Sequence, residues 1–221
     1  MVQAGIALTG VAPTGVREAD GALVIGAAIQ LGELAALPLL ARRLPVLSEA
    51  AALAAPVSGG EESLGVAVAA AGGASADAGH AALCATLVAL GAEVVLLGPD
   101  GQRVLPLEEL PHADVASETI VELRVPDPAV RSGGAVERTD DGRFVAVQVS
   151  IGEASVARSA RVAVAAPGCT ASRASAVERA LMGRHPDDTV TRAAAARIPD
   201  ARAAECASRA IARAVERAFG G

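Results

Sequence analysis

The sequence predicts an α+β fold, an α/β subdomain followed by a small antiparallel sheet with C-terminal helices. Three observations predict it. Apolar strand-like runs alternate with helix-like segments through the first half, a turn-rich stretch at Asp127–Gly142 divides the chain, and two more strand-like runs then precede a helical end. With 221 residues the chain holds one compact domain or two small ones. The division is placed at residue 128, giving subdomains over residues 1–128 and 129–221.

The elements follow in order. Ala22–Ala28 is an apolar strand-like run after the turn signal Asp20-Gly21. Helical patterns cover Leu31–Leu40 and Pro45–Ala54, and Ser58–Gly79, rich in Gly, Ala and Ser, reads as loop. Ala81–Leu90 predicts a buried helix stopped by Gly91. Glu93–Leu97 and Arg103–Leu107 flank Gly98-Pro99-Asp100-Gly101, a hairpin signal, and Thr119–Val125 alternates as a half-buried strand. Beyond the divide, Phe144–Ile151 and Ala160–Ala166 read as strands and two or three helices close the chain. In the last helix Ala203, Ala207, Ile211, Ala214, Val215 and Ala218 share an apolar face opposite Arg202, Arg209, Arg213 and Arg217.

Composition narrows the chemistry. Alanine supplies 54 residues, aromatics are limited to Phe144 and Phe219, and all 19 basic residues are arginine. A chain without lysine has no Schiff-base or P-loop lysine, and one without Trp or Tyr offers little base stacking. The alanine and arginine bias fits a GC-rich bacterial genome. Residues 1–128 carry 15 acids against 5 arginines, and residues 129–221 carry 10 acids against 14 arginines. The acidic front half argues against a nucleic-acid partner. No charge-free run of 18 apolar residues and no cationic leader appears, which predicts no membrane span and a cytoplasmic location. Cys84, Cys169 and Cys206 lack zinc spacing, and the three histidines form no i,i+4 pair, so no metal site is expected.

Gly15–Ala54, the hairpin and strand over Gly91–Leu110 and Glu118–Pro126, and Ser159–Leu181 run in one collinear order that resembles the medium, FAD-binding subunit of molybdenum hydroxylases, the carbon monoxide dehydrogenase and xanthine dehydrogenase relatives. Within the last segment Gly168, Thr170 and Arg173 match the family's run Gly-Pro-Thr-Pro-Val-Arg. The resemblance implies a flavin-domain subdomain and a C-terminal sheet-and-helix domain, with FAD held between two glycine-rich loops. The resemblance sets Met1 beyond the family's first subdomain, so the first loop is expected to be missing. The second, in the family Arg-Asn-Arg-Gly-Thr-Ile-Gly-Gly-Asn, corresponds to Gly59–Ala67, where Glu61 and Glu62 stand for arginines and Val66 for a glycine. Phosphate oxygens need closely approaching N–H groups and positive charge, and this loop offers bulk and carboxylates instead.

These readings lead to a cofactor-free descendant of the flavin subunit that binds a small apolar or polycyclic molecule and transforms it by non-redox chemistry, cyclisation or isomerisation. His80 would act as acid or base with Asp77 orienting it. Ser63, Gly65, Gly72, Gly73 and Ser75 would bind the ligand in the emptied cleft, between Ala22–Ala28 and Ala81–Leu90. Two alternatives stay open: a divergent FAD-binding electron-transfer subunit of a molybdenum-hydroxylase-type oxidoreductase, and a non-catalytic assembly subunit of one. Asp77 or Ser75 can equally serve as a helix cap, and His112, His185 and Cys169 read as structural or surface residues. A subdomain face left uncovered calls for a second copy, as a homodimer, or a heteromeric partner chain.

Overall fold

A computed structural model of the chain describes residues 12–58, 60–70 and 77–220. Strand β1 (Val16–Ala19) turns into β2 (Ala22–Gly26) through Asp20 and Gly21, both at positive φ, the backbone twist that a two-residue hairpin requires. β3 (Glu93–Gly98) and β4 (Gly101–Pro106) form the expected second hairpin, and β5 (Thr119–Pro126) pairs with both β2 and β3. The result is a five-stranded antiparallel sheet ordered β1-β2-β5-β3-β4.

Between β2 and β3 the described residues form five α-helices, α1 (Leu31–Ala36), α2 (Pro38–Arg43), α3 (Pro45–Ala54), α4 (Leu64–Ala70) and α5 (Ala78–Leu90). The single helix expected over Leu31–Leu40 is split at Pro38. Proline lacks an N–H and pushes its predecessor out of helical geometry, and Leu37 is extended at φ −67°, ψ 118°. Helix α4 corrects the reading of Ser58–Gly79 as loop throughout. Leu64, Gly65, Ala67 and Val68 are buried on it, an i,i+3,i+4 face hidden in the sequence by its glycine and alanine neighbours. Helix α5 ends at Gly91 in the left-handed region, φ +74°, with Gly91 N–H bonded back to the last turn.

The second sheet is ordered β6-β7-β8-β9, from β6 (Ser132–Arg138), β7 (Phe144–Ile151), β8 (Ala157–Ala165) and the short β9 (Ser172–Arg173). Helices α6 (Ser175–Leu181), α7 (Asp188–Ala195) and α8 (Ala201–Gly220) follow. Strand β6 lies within Asp127–Gly142, the turn-rich stretch at which the sequence divides the chain. Its Gly133-Gly134 pair looks like a loop in sequence, yet both glycines are sites of close approach. A Cβ on Gly133 would stand 2.1 Å from the Ala214 carbonyl oxygen of α8, and one on Gly134 would stand 2.7 Å from Val46 of α3.

This sheet is buried on both faces. Phe144 and Ala146 of β7 join the core formed by the first sheet and the helices before it, while Val145, Val147, Val149 and Ile151 face a second core with α6, α7 and α8. Period-two alternation thus sorts one strand between two cores, which is why its sequence reads as a nearly continuous apolar run. Helix α5 lies between the sheets, and every residue from Gly79 to Leu90 is buried. The apolar face expected on α8 is buried as well, with Cys206 and Ala210 added to it.

Candidate functional site

Asp77 is the N-cap of α5, its Oδ1 accepting the His80 backbone N–H at 2.9 Å. That cap begins the helix so that the imidazole of His80, 8% exposed, points at the segment leading into α4. There His80 Nε2 lies 2.7 Å from Glu62 Oε2. An ionised carboxylate only accepts, so Nε2–H is the donor. His80 Nδ1 is buried without a hydrogen-bond partner, and Asp77 Oδ2 stands 3.5 Å from it. The structure therefore brings His80 and Asp77 together as the sequence anticipated and adds Glu62, which the sequence reading had assigned only a repulsive role. Glu62 is turned onto His80 and is largely buried, whereas Glu61 is exposed.

The segment before α4 is tied down by backbone bonds. Leu64 N–H donates to Ile29 O, Gly65 N–H to Ala27 O, and Ala67 N–H to Ser63 O, while Ser63 Oγ accepts Val66 N–H at 3.4 Å. Ser63 thus works as a local cap, and Gly65 as a buried residue against the end of β2. All four amides of the first turn of α4 already have protein partners. Gly72, Gly73 and Ser75 lie outside the described residues.

An apolar cavity of about 310 Å³ lies alongside α4 and α5, farther along α5 than His80. Val68 and Ala69 come from α4, Cys84 and Val88 from α5, Leu96 from β3 and Ile120 from β5. The 3₁₀ turn Leu107–His112 closes it with Leu107, Leu110 and Pro111. Neither His80 nor Asp77 lines it, and neither does any residue of Ala22–Ala28. The sequence signal for this wall was Leu107 and Leu110, an i,i+3 apolar pair between prolines, which stood unread beside His112. His112 itself is exposed, and His185 is exposed with Nδ1 2.8 Å from Ser155 O.

Charged groups hold the wall from outside. Glu118, on the cavity rim, receives Arg103 Nε at 2.8 Å and Nη2 at 2.6 Å, and this bidentate pairing holds its carboxyl below the usual carboxylate range. Glu108, in the 3₁₀ turn, faces Arg173 at 3.5 Å and Arg161 at 3.9 Å, both from the second sheet. Arg173 in turn is bonded to the buried Glu178, which also accepts the Val162 N–H. Ala171, just before β9, completes the lining. The C-terminal half therefore braces the cavity that the first half builds. Inside it, burial pushes the Cys84 thiol up to about 12. Among the described residues no group of three or more His, Cys, Asp or Glu could hold a metal ion, and no helix is long and apolar enough to cross a membrane.

Comparison with known proteins bears on what this architecture is for. Residues 2–128 match the family described as FAD binding domain in molybdopterin dehydrogenase. No curated protein matches the chain. Among solved structures, carbon monoxide dehydrogenase from Hydrogenophaga pseudoflava, in a form lacking the Mo-pyranopterin moiety of its molybdenum cofactor, is similar at 30% identity over 92% of this chain and 78% of that one, with TM-score 0.78. Reconstituted CO dehydrogenase from Oligotropha carboxidovorans is similar at 25% identity, covering 94% and 78%, with TM-score 0.75. Quinoline 2-oxidoreductase from Pseudomonas putida 86, at 20% identity, 93% and 78% coverage and TM-score 0.71, shares the fold. The expectation of a cofactor-free protein is overturned by the family match, whose description is an FAD binding domain. The chain belongs to the FAD-binding domain family of molybdopterin dehydrogenases.

Proposed function

We propose that the chain is the FAD-binding electron-transfer subunit of a molybdenum-hydroxylase-type oxidoreductase, working with heteromeric partner chains. The observation that carries this reading is the family match over residues 2–128 together with 30% identity to a carbon monoxide dehydrogenase across 92% of the chain. It replaces the cyclisation or isomerisation expected from the sequence, for which neither comparison offers support.

The fit of the flavin differs between its two ends. An apolar cavity of about 310 Å³ suits a flat tricyclic ring, and Val68, Val88, Leu96, Leu107, Leu110 and Ile120 would hold it away from water. The first-turn amides of α4 do not suit a diphosphate, since Ile29, Ala27 and Ser63 already occupy them. Bound FAD supplies the capacity to accept and pass on electrons. The residues of the chain shape and protect the place where that happens. Arg103 neutralises Glu118 at the rim, and Arg161 and Arg173 pin Glu108 so that Leu107 and Leu110 stay over the ring site. In this reading His80, Asp77 and Glu62 are positioning residues that fix α4 against α5, and they take no part in proton transfer to a substrate.

The test is affinity capture of the tagged protein from its own host. Recovery of a molybdopterin-containing chain at a fixed ratio, with flavin in the complex that is bleached when the large chain's substrate is added, is the expected result. A protein recovered alone, from cells shown to express such chains, contradicts the proposal.

A further inference from the structure

Between α6 and α7 lies a cavity of about 340 Å³, lined by Ala176, Ala180, Ala193 and Ala194 and by Arg179, Arg184 and Arg197. It shares no residue with the apolar cavity. Arg43 is matched to Glu18 and Asp127, and Arg217 to Glu49, whereas Arg42, Arg124, Arg158 and Arg202 stand singly on the surface, each without a side-chain partner among the described residues. The side chains of the three around this cavity have no hydrogen-bond or ion-pair partner among the described residues. Of the acids close to them in sequence two are already engaged, and Asp188, exposed in the first turn of α7, has no side-chain partner among the described residues. Glu178 is buried against Arg173 and the Val162 amide, and Asp187 caps α7 through the Val190 N–H at 2.8 Å.

Three cations around one concavity repel one another, and an anion of matching charge removes that repulsion. Guanidinium forks pair bidentately with phosphate oxygens. The alanines leave room without adding donors, and no aromatic ring is present for stacking, so charge selects the ligand. We propose that this cavity binds a small molecule through a diphosphate group, at a site separate from the flavin.

Calorimetric titration of inorganic pyrophosphate into the purified protein at low ionic strength tests this. The expected result is saturable binding to one site, weakened about tenfold by Arg184→Gln or Arg197→Gln, abolished when Arg179→Gln is added to both, and weakened by salt. All three side chains are exposed and unpaired, so circular dichroism should be unchanged in each variant. Absence of saturable binding, or equal binding by the triple variant, overturns the proposal. Binding of a glutamate-rich peptide through these arginines, with none of pyrophosphate, overturns it as well and identifies a protein-docking surface.

Discussion

Glu62 Oε2 and His80 Nε2, 18 residues apart in the chain, meet at 2.7 Å and join the segment before α4 to the first turn of α5. Both side chains are largely withdrawn from water, so removing either leaves the other without its partner. His80→Leu and Glu62→Leu should each destabilise the fold by about 2 kcal/mol. His80→Gln keeps a donor and should cost about half as much. Urea unfolding of the three variants checks this, and equal costs for Leu and Gln at position 80 contradict it.

Asp77 contributes to the same junction through the backbone. Its Oδ1 satisfies the His80 amide at the start of α5. Asp77→Ala should lose about 1 kcal/mol, and Asp77→Asn or Asp77→Ser should restore most of it, because each supplies a capping oxygen. Thermal unfolding of the series separates this cap role from a charge role, in which Asn would be as damaging as Ala.

The two glycines of β6 should differ in tolerance. A Cβ at Gly133 meets backbone, the Ala214 carbonyl at 2.1 Å and the Ala218 nitrogen at 2.6 Å, whereas at Gly134 it meets the ends of Gln148 and Val46 side chains. Gly133→Ala should cost about 3 kcal/mol, since α8 has to move off the sheet, and Gly134→Ala roughly 1 kcal/mol. Chemical denaturation compares them directly.

The Cys84 thiol gives a pH dependence. Its ordinary value of 9.0 is raised to about 12 by burial, so the folded protein holds the proton where the unfolded chain has released it. Stability from this source is intact below pH 9 and is lost as pH rises from 9 toward 12, by about 1.4 kcal/mol per pH unit. Cys84→Ala should flatten that part of the stability profile. At pH 8 the exposed Cys169 should react with a thiol reagent while buried Cys84 and Cys206 react only after unfolding.

Much of the fold could be read from residues whose effect is local. Gly91 stops α5, Asp20-Gly21 and Pro99-Asp100 make hairpins, and the apolar spacing of α8 names its buried face. Elements whose identity depends on a neighbour could not be read so. Strand β6 hides behind two glycines that are there because α8 and α3 come close, and α4 hides among small residues. The candidate site divides in the same way. His80 and Asp77, three residues apart on a helix start, were visible as a pair. Glu62 was not, because its carboxylate was read as facing a phosphate rather than an imidazole, and the cavity wall at Leu107 and Leu110 depends on Arg161 and Arg173 more than 50 residues later.

Flavin content tests the account most directly. With no Trp or Tyr and only two Phe, the chain has minimal near-ultraviolet absorbance of its own, so bound flavin is readily measured. Protein saturated with FAD and passed through gel filtration is predicted to be yellow and to release about one FAD per chain on denaturation. Filling the ring site by Val88→Trp should remove the colour while Arg184→Gln leaves it. Colourless protein after saturation, with its partner chains present, contradicts the account.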